Sequence, residues 1–319
     1  MMSPIGRLLS CLIVCALMTG IVAARAADTV HVGKSADSSY TFMVVEIGEE
    51  VGIFAKHGIA AQVTGFGGDA KLQQALAAES IEFGLGSGPA MAFTVKGAPV
   101  IAVAAFAGEP RSISIVVAPD GPIKTIADLK DKLVAISTVG SLSEWLTKRV
   151  SAQQGWPPGS VRTVAVGSGV AMTAALKSNQ VDAFMGSTEG GLQLEERNQG
   201  RILVGMNRFA PHFITHVIFA RNDVARDKPE LVQRFLDGFF ASIAFIKANK
   251  EKTTAITGRL LRENPELMSH IYDYETPMLL DTGHFDAEAL TVLKDSFVDL
   301  GILPTRPSDA QILTTRFVH

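Results

Sequence analysis

Serine, threonine and glycine residues recur in short clusters beside apolar segments of this 319-residue chain. Hydroxyl groups donate and accept hydrogen bonds, and glycine-rich helix starts present backbone N–H groups that attract anions. The clusters therefore predict capture of a small solute with an anionic head group, such as a sulfonate or a carboxylate. The candidate ligand-binding residues are Ser38, Ser39, Tyr40, Gly67, Gly68, Asp69, Ser87, Gly88, Thr138, Gly140, Ser141, Ser168, Ser187, Thr188 and Glu189.

Three of these candidates also fit other roles. Ser141 has the spacing of a capping box with Glu144, in which each side chain satisfies N–H groups of the helix itself. Asp69 is an ordinary helix N-cap as well as a candidate ligand contact. Glu189 is either a partner for the ammonium group of a zwitterion such as taurine or a solvated loop carboxylate. The residue types alone leave both roles open for each.

Patterns for catalysis and for metal binding are weak in this chain. It contains neither a G-x-S-x-G nor an H-E-x-x-H sequence. Residues 84–89 approach G-x-G-x-x-G, but Pro89 replaces the third glycine. His212 and His216 lie in a strand-like segment, where four residues span about 13 Å and cannot share one metal ion. We therefore expect a protein that is not an enzyme and that has no catalytic residues, no metal and no cofactor.

Composition sets the broad class of the protein. The chain is 47% hydrophobic and 19% charged, which is ordinary for a globular protein. Its formal charge of −3 provides no basic field of the kind that nucleic-acid binding requires. Its length predicts two domains.

Residues 1–26 have the pattern of a cleavable export signal. Arg7 precedes an apolar run of about 15 residues, which is shorter than the roughly 20 that a spanning helix needs. Ala24-Arg25-Ala26 then provides a small-x-small cleavage site, so we predict cleavage after Ala26 and a periplasmic location. Both cysteines, Cys11 and Cys15, lie in this segment, which leaves a mature chain that cannot form disulfides.

Strand and helix patterns alternate along the rest of the chain, which predicts an α/β fold with mainly parallel sheets. The order of elements occurs twice. ALAAESIEFGLGS at 75–87 and ALKSNQVDAFMGS at 175–187 both run from a helix through a polar corner into an apolar strand that ends in Gly-Ser. We interpret the two stretches as equivalent parts of two similar lobes. Strand ends and helix starts that face each other would form a ligand-binding cleft.

Two β-rich segments, 112–117 and 215–220, lie where the pattern changes from one lobe to the other. They predict paired strands at which the chain crosses between lobes and returns. The resulting division is a signal peptide at 1–26, a first lobe of 27–112 plus 217–319, and a second lobe of 113–216. An amphipathic helix beginning at Pro229 and a C-terminal helix ending before Gly301 are predicted to pack on this framework.

Several segments carry a family resemblance. Together with the export signal, EEVGIFAKHGI at 49–59, LAAESIEFGLGSGPA at 76–90, IADLKDKLVAI at 126–136, LKSNQVDAFMGSTE at 176–189 and HVIFARNDV at 216–224 resemble the periplasmic solute-binding proteins of ABC importers. The branch is the one for sulfonates, taurine and nitrate, with its thiamine-pyrimidine (NMT1/THI5-like) relatives. The resemblance covers nearly all of the mature chain.

This resemblance implies a type II periplasmic-binding fold: two α/β lobes, joined by two crossing hinge strands, that close on a small solute. It also implies a monomer that delivers the solute to an ABC permease and its ATPase, in peripheral contact with the inner membrane. The sequence leaves open a solute receptor of another transporter class, a periplasmic ligand sensor, and binding of a thiamine-pyrimidine precursor. It does not name the solute.

Overall fold

Parallel strands form most of two separate sheets in the computed structural model, which describes residues 27–36, 39–167 and 169–318. The predicted signal peptide, Ser38 and Ser168 lie outside the described residues. The strands are β1 (Asp28–Lys34), β2 (Ile59–Gly65), β3 (Phe83–Ser87), β4 (Val100–Ala107), β5 (Ile113–Val117), β6 (Leu133–Ile136), β7 (Arg162–Ala165), β8 (Ala183–Ser187), β9 (Arg201–Gly205) and β10 (His216–Arg221).

The first sheet has the order β2-β1-β3-β10-β4, and the second has the order β7-β6-β8-β5-β9. β1 pairs in parallel with β2 and β3, whereas β10 runs antiparallel between β3 and β4. The second sheet repeats this arrangement, because β6 is parallel to β7 and β8, and β5 runs antiparallel between β8 and β9. Each sheet is the centre of one α/β lobe.

Helices cover both sheets. They are α1 (Val44–Glu50), α2 (Ile53–Lys56), α3 (Asp69–Ala77), α4 (Ala92–Val95), α5 (Leu142–Gln153), α6 (Val170–Lys177), α7 (Thr188–Glu196), α8 (Asn222–Asp227), α9 (Pro229–Ala248), α10 (Lys250–Leu261), α11 (Pro265–Glu275) and α12 (Ala287–Asp299). The predictions for α9 and α12 are confirmed, and Gly301 follows α12 with a φ of +67°. Across the described residues, no helix is long and apolar enough to span a bilayer.

The two quoted stretches have matching structures. α3 and α6 both end at a left-handed residue, Glu79 with φ +57° and Asn179 with φ +55°. The acidic residue at the start of each following strand also has the same role. Glu82 accepts the N–H of His31 at 2.7 Å, and Asp182 accepts the N–H of Leu133 at 2.8 Å. Each carboxylate therefore ties its strand to the parallel neighbour, which explains why the corner occurs once in each lobe.

Apolar side chains between helices and sheets hold each lobe together. In the first lobe, Phe235 and Phe239 of α9 are fully buried, and the Phe235 ring stacks on Phe83 of β3 with centroids 4.1 Å apart. Trp145 of α5 in the second lobe stacks on Phe213 with centroids 4.3 Å apart, and its indole N–H donates to Asp299 at the end of α12 at 3.2 Å. The C-terminal part of the chain therefore contacts both lobes.

The predicted pairing of the two crossing segments with each other is wrong. Strands do form there, but β5 is completed by β8 and β9, and β10 is completed by β3 and β4. The chain crosses between lobes in the short segments that precede these strands, 108–112 and 206–215. Hydrophobic pattern identifies a buried strand but not its partner, because the partners lie far away in the sequence. Each crossing strand is thus a central strand of the lobe that it enters.

Gly88, which follows β3, packs closely against the backbone of the second crossing, and this packing can be tested. Its N–H donates to the carbonyl of Thr215 at 2.9 Å, and an added Cβ would lie 2.2 Å from the carbonyl oxygen of Ile214. We expect Gly88→Ala to destabilise the fold by about 1–3 kcal/mol through overpacking, which lowers Tm by several degrees. Thermal unfolding followed by circular dichroism measures this change.

The matched control is Gly108→Ala in the first crossing, where a new Cβ would meet Leu280 at an ordinary 3.6 Å. This control should leave Tm nearly unchanged. Equal Tm values for the two variants would contradict the packing constraint at Gly88.

Candidate functional site

A cavity of about 350 Å³ lies between the two lobes, at the carboxyl ends of their parallel strands. This volume is at the lower end of the range for small-molecule sites. Both lobes contribute to its walls. The lining residues are Ser35, Ala36, Ser39, Phe42, Gly68, Asp69, Ser87, Ser112, Ile113, Ser137, Leu142, Ser143, Gly169, Val170, Met172, Met185, Gly186, Ser187 and His216.

Five of the candidate ligand-binding residues line this cavity: Ser39, Gly68, Asp69, Ser87 and Ser187. They come from equivalent places, because Ser87 ends β3 and Ser187 ends β8. The Gly-Ser ending that the sequence repeats therefore delivers one hydroxyl from each lobe to the same space. Whether these side chains contact a ligand stays a prediction.

Other candidates are placed elsewhere by their hydrogen bonds. The Tyr40 hydroxyl bonds with Thr276 Oγ1 at 2.7 Å, and Thr188 Oγ1 donates to the carbonyl of Arg111 at 2.7 Å. Ser141 caps α5, since its Oγ accepts the N–H of Glu144 at 3.4 Å. The hydroxyl groups of these three side chains have hydrogen-bond partners within the protein, and none of the three side chains lines the cavity.

The glycine and threonine candidates at the front of the cleft also have structural roles. Gly140 donates its N–H to Glu144 Oε2 at 2.6 Å. Glu144 therefore accepts a backbone N–H just before α5, one residue earlier than the N-cap Ser141 that the capping-box pattern predicts. Thr138 of the second lobe lies against Gly68 of the first, where an added Cβ would be 2.8 Å from the Thr138 methyl group. The lobes therefore touch at this point, while Gly67 and Gly88 lie outside the cavity lining.

Asp69 and Ser87 form a fixed pair at one wall of the cavity. The Asp69 carboxylate accepts the Ser87 N–H at 2.9 Å and the Ser87 hydroxyl at 2.6 Å. Burial raises the pKa of Asp69, and hydrogen bonds from Ser87 and Ser35 oppose this shift. Since both carboxylate oxygens already accept bonds, the main role of Asp69 is to hold the end of β3 against the start of α3. The expected N-cap role of Asp69 is wrong, because Gly68 is the N-cap of α3 and the Asp69 carboxylate accepts bonds from Ser87 instead of from the helix N–H groups.

Three helix starts converge on the cavity. Gly68 precedes α3 and Gly169 precedes α6, while Leu142 and Ser143 lie in the first turn of α5. The first N–H groups of a helix have no partner within the helix and carry a partial positive charge. Gly169 has a φ of +56°, which explains why a glycine stands at that start. The arrangement is suited to the oxygens of an anionic group.

Serine hydroxyls form a chain beside α5 that the candidate set only partly included. Ser143 Oγ lies 3.1 Å from Ser137 Oγ and 2.8 Å from Ser141 Oγ, and it accepts the N–H of Ser137 at 3.0 Å. Ser137 directly follows β6, so applying the strand-end rule one residue earlier would have found it. Ser35, which follows β1, was missed for the same reason.

Apolar side chains also line the cavity, and sequence reasoning missed all of them. They are Phe42, Ile113, Leu142, Val170, Met172 and Met185. Val170 is 86% exposed although it lines the cavity, which is unusual for a valine at a helix start. Among the described residues, no lysine or arginine side chain lines the cavity. Periodicity identifies such residues as core and cannot tell a cavity wall from a packed interior.

The two crossings meet at the floor of the cavity. Ser112 ends the first crossing, and His216 begins β10 after the second, with Ser112 Oγ 3.5 Å from His216 Nε2. Both side chains are buried. Burial lowers the pKa of His216 to about 3, so the imidazole is neutral at physiological pH. The strand pattern around His216 gave no sign of a polar role.

Glu189 lies outside the cavity, in a buried acidic cluster between the lobes. Its Oε2 accepts the N–H of Tyr40 at 2.7 Å, whereas its Oε1 and both oxygens of Glu275 have no hydrogen-bond partner among the described residues. Burial raises the pKa of Glu189 to about 8, although the Tyr40 N–H and Lys34 oppose the shift. Burial and the nearby Glu189 raise the pKa of Glu275 well above its ordinary value. Glu189 is thus a buried carboxylate and not a solvated loop residue, while a contact with a ligand ammonium stays a prediction.

A pH dependence of stability follows from this cluster. The folded state holds a proton on Glu189 up to about pH 8, whereas the unfolded chain loses it near 4.5. The free energy of unfolding should therefore fall as pH rises across this window, by up to about 1.4 kcal/mol per pH unit. We expect the Tm of the wild type to decline from pH 6.5 to pH 8. The Tm of Glu189→Gln should decline less, because the amide has no proton to lose in this range. The variant keeps the contact with Tyr40, because the amide carbonyl still accepts the Tyr40 N–H.

Glu230→Gln removes an exposed carboxylate at the start of α9 and provides the control. It should reproduce the wild-type decline. Identical pH profiles for Glu189→Gln and wild type would contradict the assignment of the proton to Glu189.

The chain matches the family model described as NMT1/THI5 like over residues 40–253. A protein of Brucella abortus (strain 2308), named only as a binding protein, is 26% identical over 242 residues, which cover 73% of this chain and 72% of the relative. The family match thus includes β2 to β10 and leaves out β1.

Two solved structures resemble the structure of this chain. The alkanesulfonate-binding protein SsuA from Xanthomonas axonopodis pv. citri, bound to MOPS, has a TM-score of 0.78 at 17% identity, over 90% of this chain and 98% of its own. The periplasmic nitrate-binding protein NrtA from Synechocystis PCC 6803 has a TM-score of 0.70 at 17% identity, over 89% and 84%. These likenesses confirm the expected periplasmic-binding fold with two α/β lobes.

Proposed function

Because this chain belongs to the NMT1/THI5-like family, we propose that it is the solute-binding component of an ABC importer and that it captures a small organic anion between its lobes. It then delivers the solute to a membrane permease from the periplasm. The observation that carries the proposal is the cavity between the lobes, which is lined by seven serines, Asp69 and His216 and by the starts of three helices.

The chemistry of the walls supports an anion with an organic body. Hydroxyl and helix N–H donors can replace the water around a sulfonate or carboxylate, and the methionine, leucine and valine side chains that also line the cavity suit an apolar remainder. A zwitterion such as taurine is less well supported. Its ammonium would need an available carboxylate, but Glu189 is outside the cavity and Asp69 accepts two bonds from Ser87.

Capture by lobe closure accounts for the contacts across the cleft. Thr138 against Gly68 and the bond from Tyr40 to Glu189 both join the lobes beside the cavity. A solute that contacts both lobes favours the closed arrangement, because it binds the closed form better than the open one. The segments 108–112 and 206–215 are the parts of the chain that would bend.

Thermal unfolding of residues 27–319 with benzenesulfonate, octanesulfonate, benzoate, taurine and nitrate tests the proposal. Protein unfolded and refolded beforehand has lost any solute carried through purification. A solute at a hundred times its Kd stabilises the fold by about 2.7 kcal/mol, which raises Tm by several degrees. We expect the organic anions to give this shift and taurine to give less. No shift with any of the organic anions would contradict the proposal.

Ala36→Phe locates the binding. Ala36 lines the cavity, and a phenyl ring at this position would fill part of the space. The variant should lose the Tm shift given by the best organic anion, while Ala127→Phe, on an exposed surface turn of the second lobe, should retain it. A full shift in Ala36→Phe, in a variant that unfolds cooperatively, would place binding elsewhere.

A further inference from the structure

His216 is held rigidly at the floor of the cavity. It is the first residue of β10, and it is in register with Ser87 at the end of β3. Its ring packs against Phe42 with centroids 4.4 Å apart and against Phe106 with centroids 5.5 Å apart, the latter nearly stacked at 24°. The side chain is 3% exposed, yet it lines the cavity. The ring therefore has little freedom to turn, and the direction of each nitrogen is fixed.

The surroundings of the two ring nitrogens determine the tautomer. Nδ1 is buried and has no hydrogen-bond partner among the described residues, whereas Nε2 faces Ser112 Oγ at 3.5 Å. A neutral imidazole carries one N–H and one lone pair. Buried N–H groups without an acceptor are rarer than buried acceptors without a donor, because an N–H that loses its bond to water is costly to bury. The hydrogen therefore belongs on Nε2.

This tautomer makes His216 different from the other polar side chains of the cavity. The serine hydroxyls can rotate and either donate or accept, so they adapt to many ligands. The Nε2–H of a neutral ring can only donate. Its 3.5 Å separation from Ser112 Oγ is long for a hydrogen bond, which leaves the N–H able to donate to a ligand atom instead.

We propose that His216 is a specificity-determining residue of the solute site. Its uncharged Nε2–H, beside Ser112 Oγ, selects solutes that place a hydrogen-bond acceptor at the floor of the cavity, and it disfavours solutes that place an N–H donor there. The inference rests on the proposed function, since it concerns the solute that this cavity binds. It adds a position to the binding: the acceptor head lies beside Ser112 and His216, where the two crossings meet.

The tautomer can be measured without any ligand. Long-range ¹H–¹⁵N correlation spectra of ¹⁵N-histidine protein at pH 7, with His216→Phe for assignment, report which ring nitrogen carries the hydrogen. We expect a neutral ring protonated at Nε2. A ring protonated at Nδ1, or at both nitrogens, would overturn the inference.

Binding of two aryl probes measures the selectivity. Isothermal titration with benzenesulfonate and benzylamine compares an acceptor head with a donor head on a similar body. Wild type should bind benzenesulfonate at least about tenfold more tightly than benzylamine. His216→Phe fits between Phe42 and Phe106 without a donor, and should weaken benzenesulfonate binding by about tenfold. His216→Gln, whose amide N–H is also a neutral donor, should recover part of this loss.

His270→Phe removes an exposed histidine on α11 and should leave both affinities unchanged. Cooperative unfolding of each variant shows that it is folded. Wild-type affinity for benzenesulfonate in His216→Phe, or equal wild-type affinity for the two probes, would overturn the inference. Failure of the proposed function has a different signature, because then none of the anionic probes stabilises wild type. Failure of this inference alone leaves the stabilisation by benzenesulfonate in place and makes it insensitive to His216→Phe.

Discussion

Each sheet of this protein is completed by an antiparallel strand that the chain supplies only after it has crossed between the lobes. β5 enters the second sheet between β8 and β9, and β10 enters the first sheet between β3 and β4. The backbone pairing is the same in both lobes, since Ile113 lies opposite Ser187 and His216 lies opposite Ser87. Neither sheet can form its central ladder without the crossings, so the position of the cleft floor is fixed by the same hydrogen bonds that hold the sheets together.

This constraint explains the composition of the cavity. The ends of β3 and β8 bring serines to the cleft because the parallel strands terminate there, and the crossings bring Ser112 and His216 because β5 and β10 begin there. Helix starts are added from both lobes, since each helix follows a strand at that edge. The polar part of the cavity is therefore a consequence of topology. The apolar part comes from strands as well as helices, since Met185 lies in β8 and Met172 lies in α6.

Among the described residues, Asp69 is the acidic residue that lines the cavity, and no lysine or arginine lines it. His216 is neutral because burial lowers its pKa to about 3, and Asp69 has both oxygens engaged by Ser87. The buried acids Glu189 and Glu275 are set aside in a separate cluster, where burial favours their protonated forms. A solute in this cavity would be recognised by hydrogen-bond direction and by helix N-termini. This differs from recognition by a side chain of opposite charge, and it makes the fixed donor at His216 more important for the choice of solute.

The sequence by itself determined the alternation of strands and helices, the two similar lobes and the doubled corner. These features depend on local periodicity and on turn residues, which act within a few positions of one another. It also predicted that the strand-end serines Ser87 and Ser187 belong to one site. Only the tertiary structure decided that β5 and β10 pair with other strands, that Tyr40 and Glu189 bond to each other outside the cavity, and that His216 lines its floor. Those facts depend on contacts between residues far apart in the sequence, from 66 positions for Val117 and Ala183 to 149 for Tyr40 and Glu189, where no local pattern specifies the partner. They also depend on burial, which changes the charge of a carboxylate or an imidazole without changing its letter in the sequence.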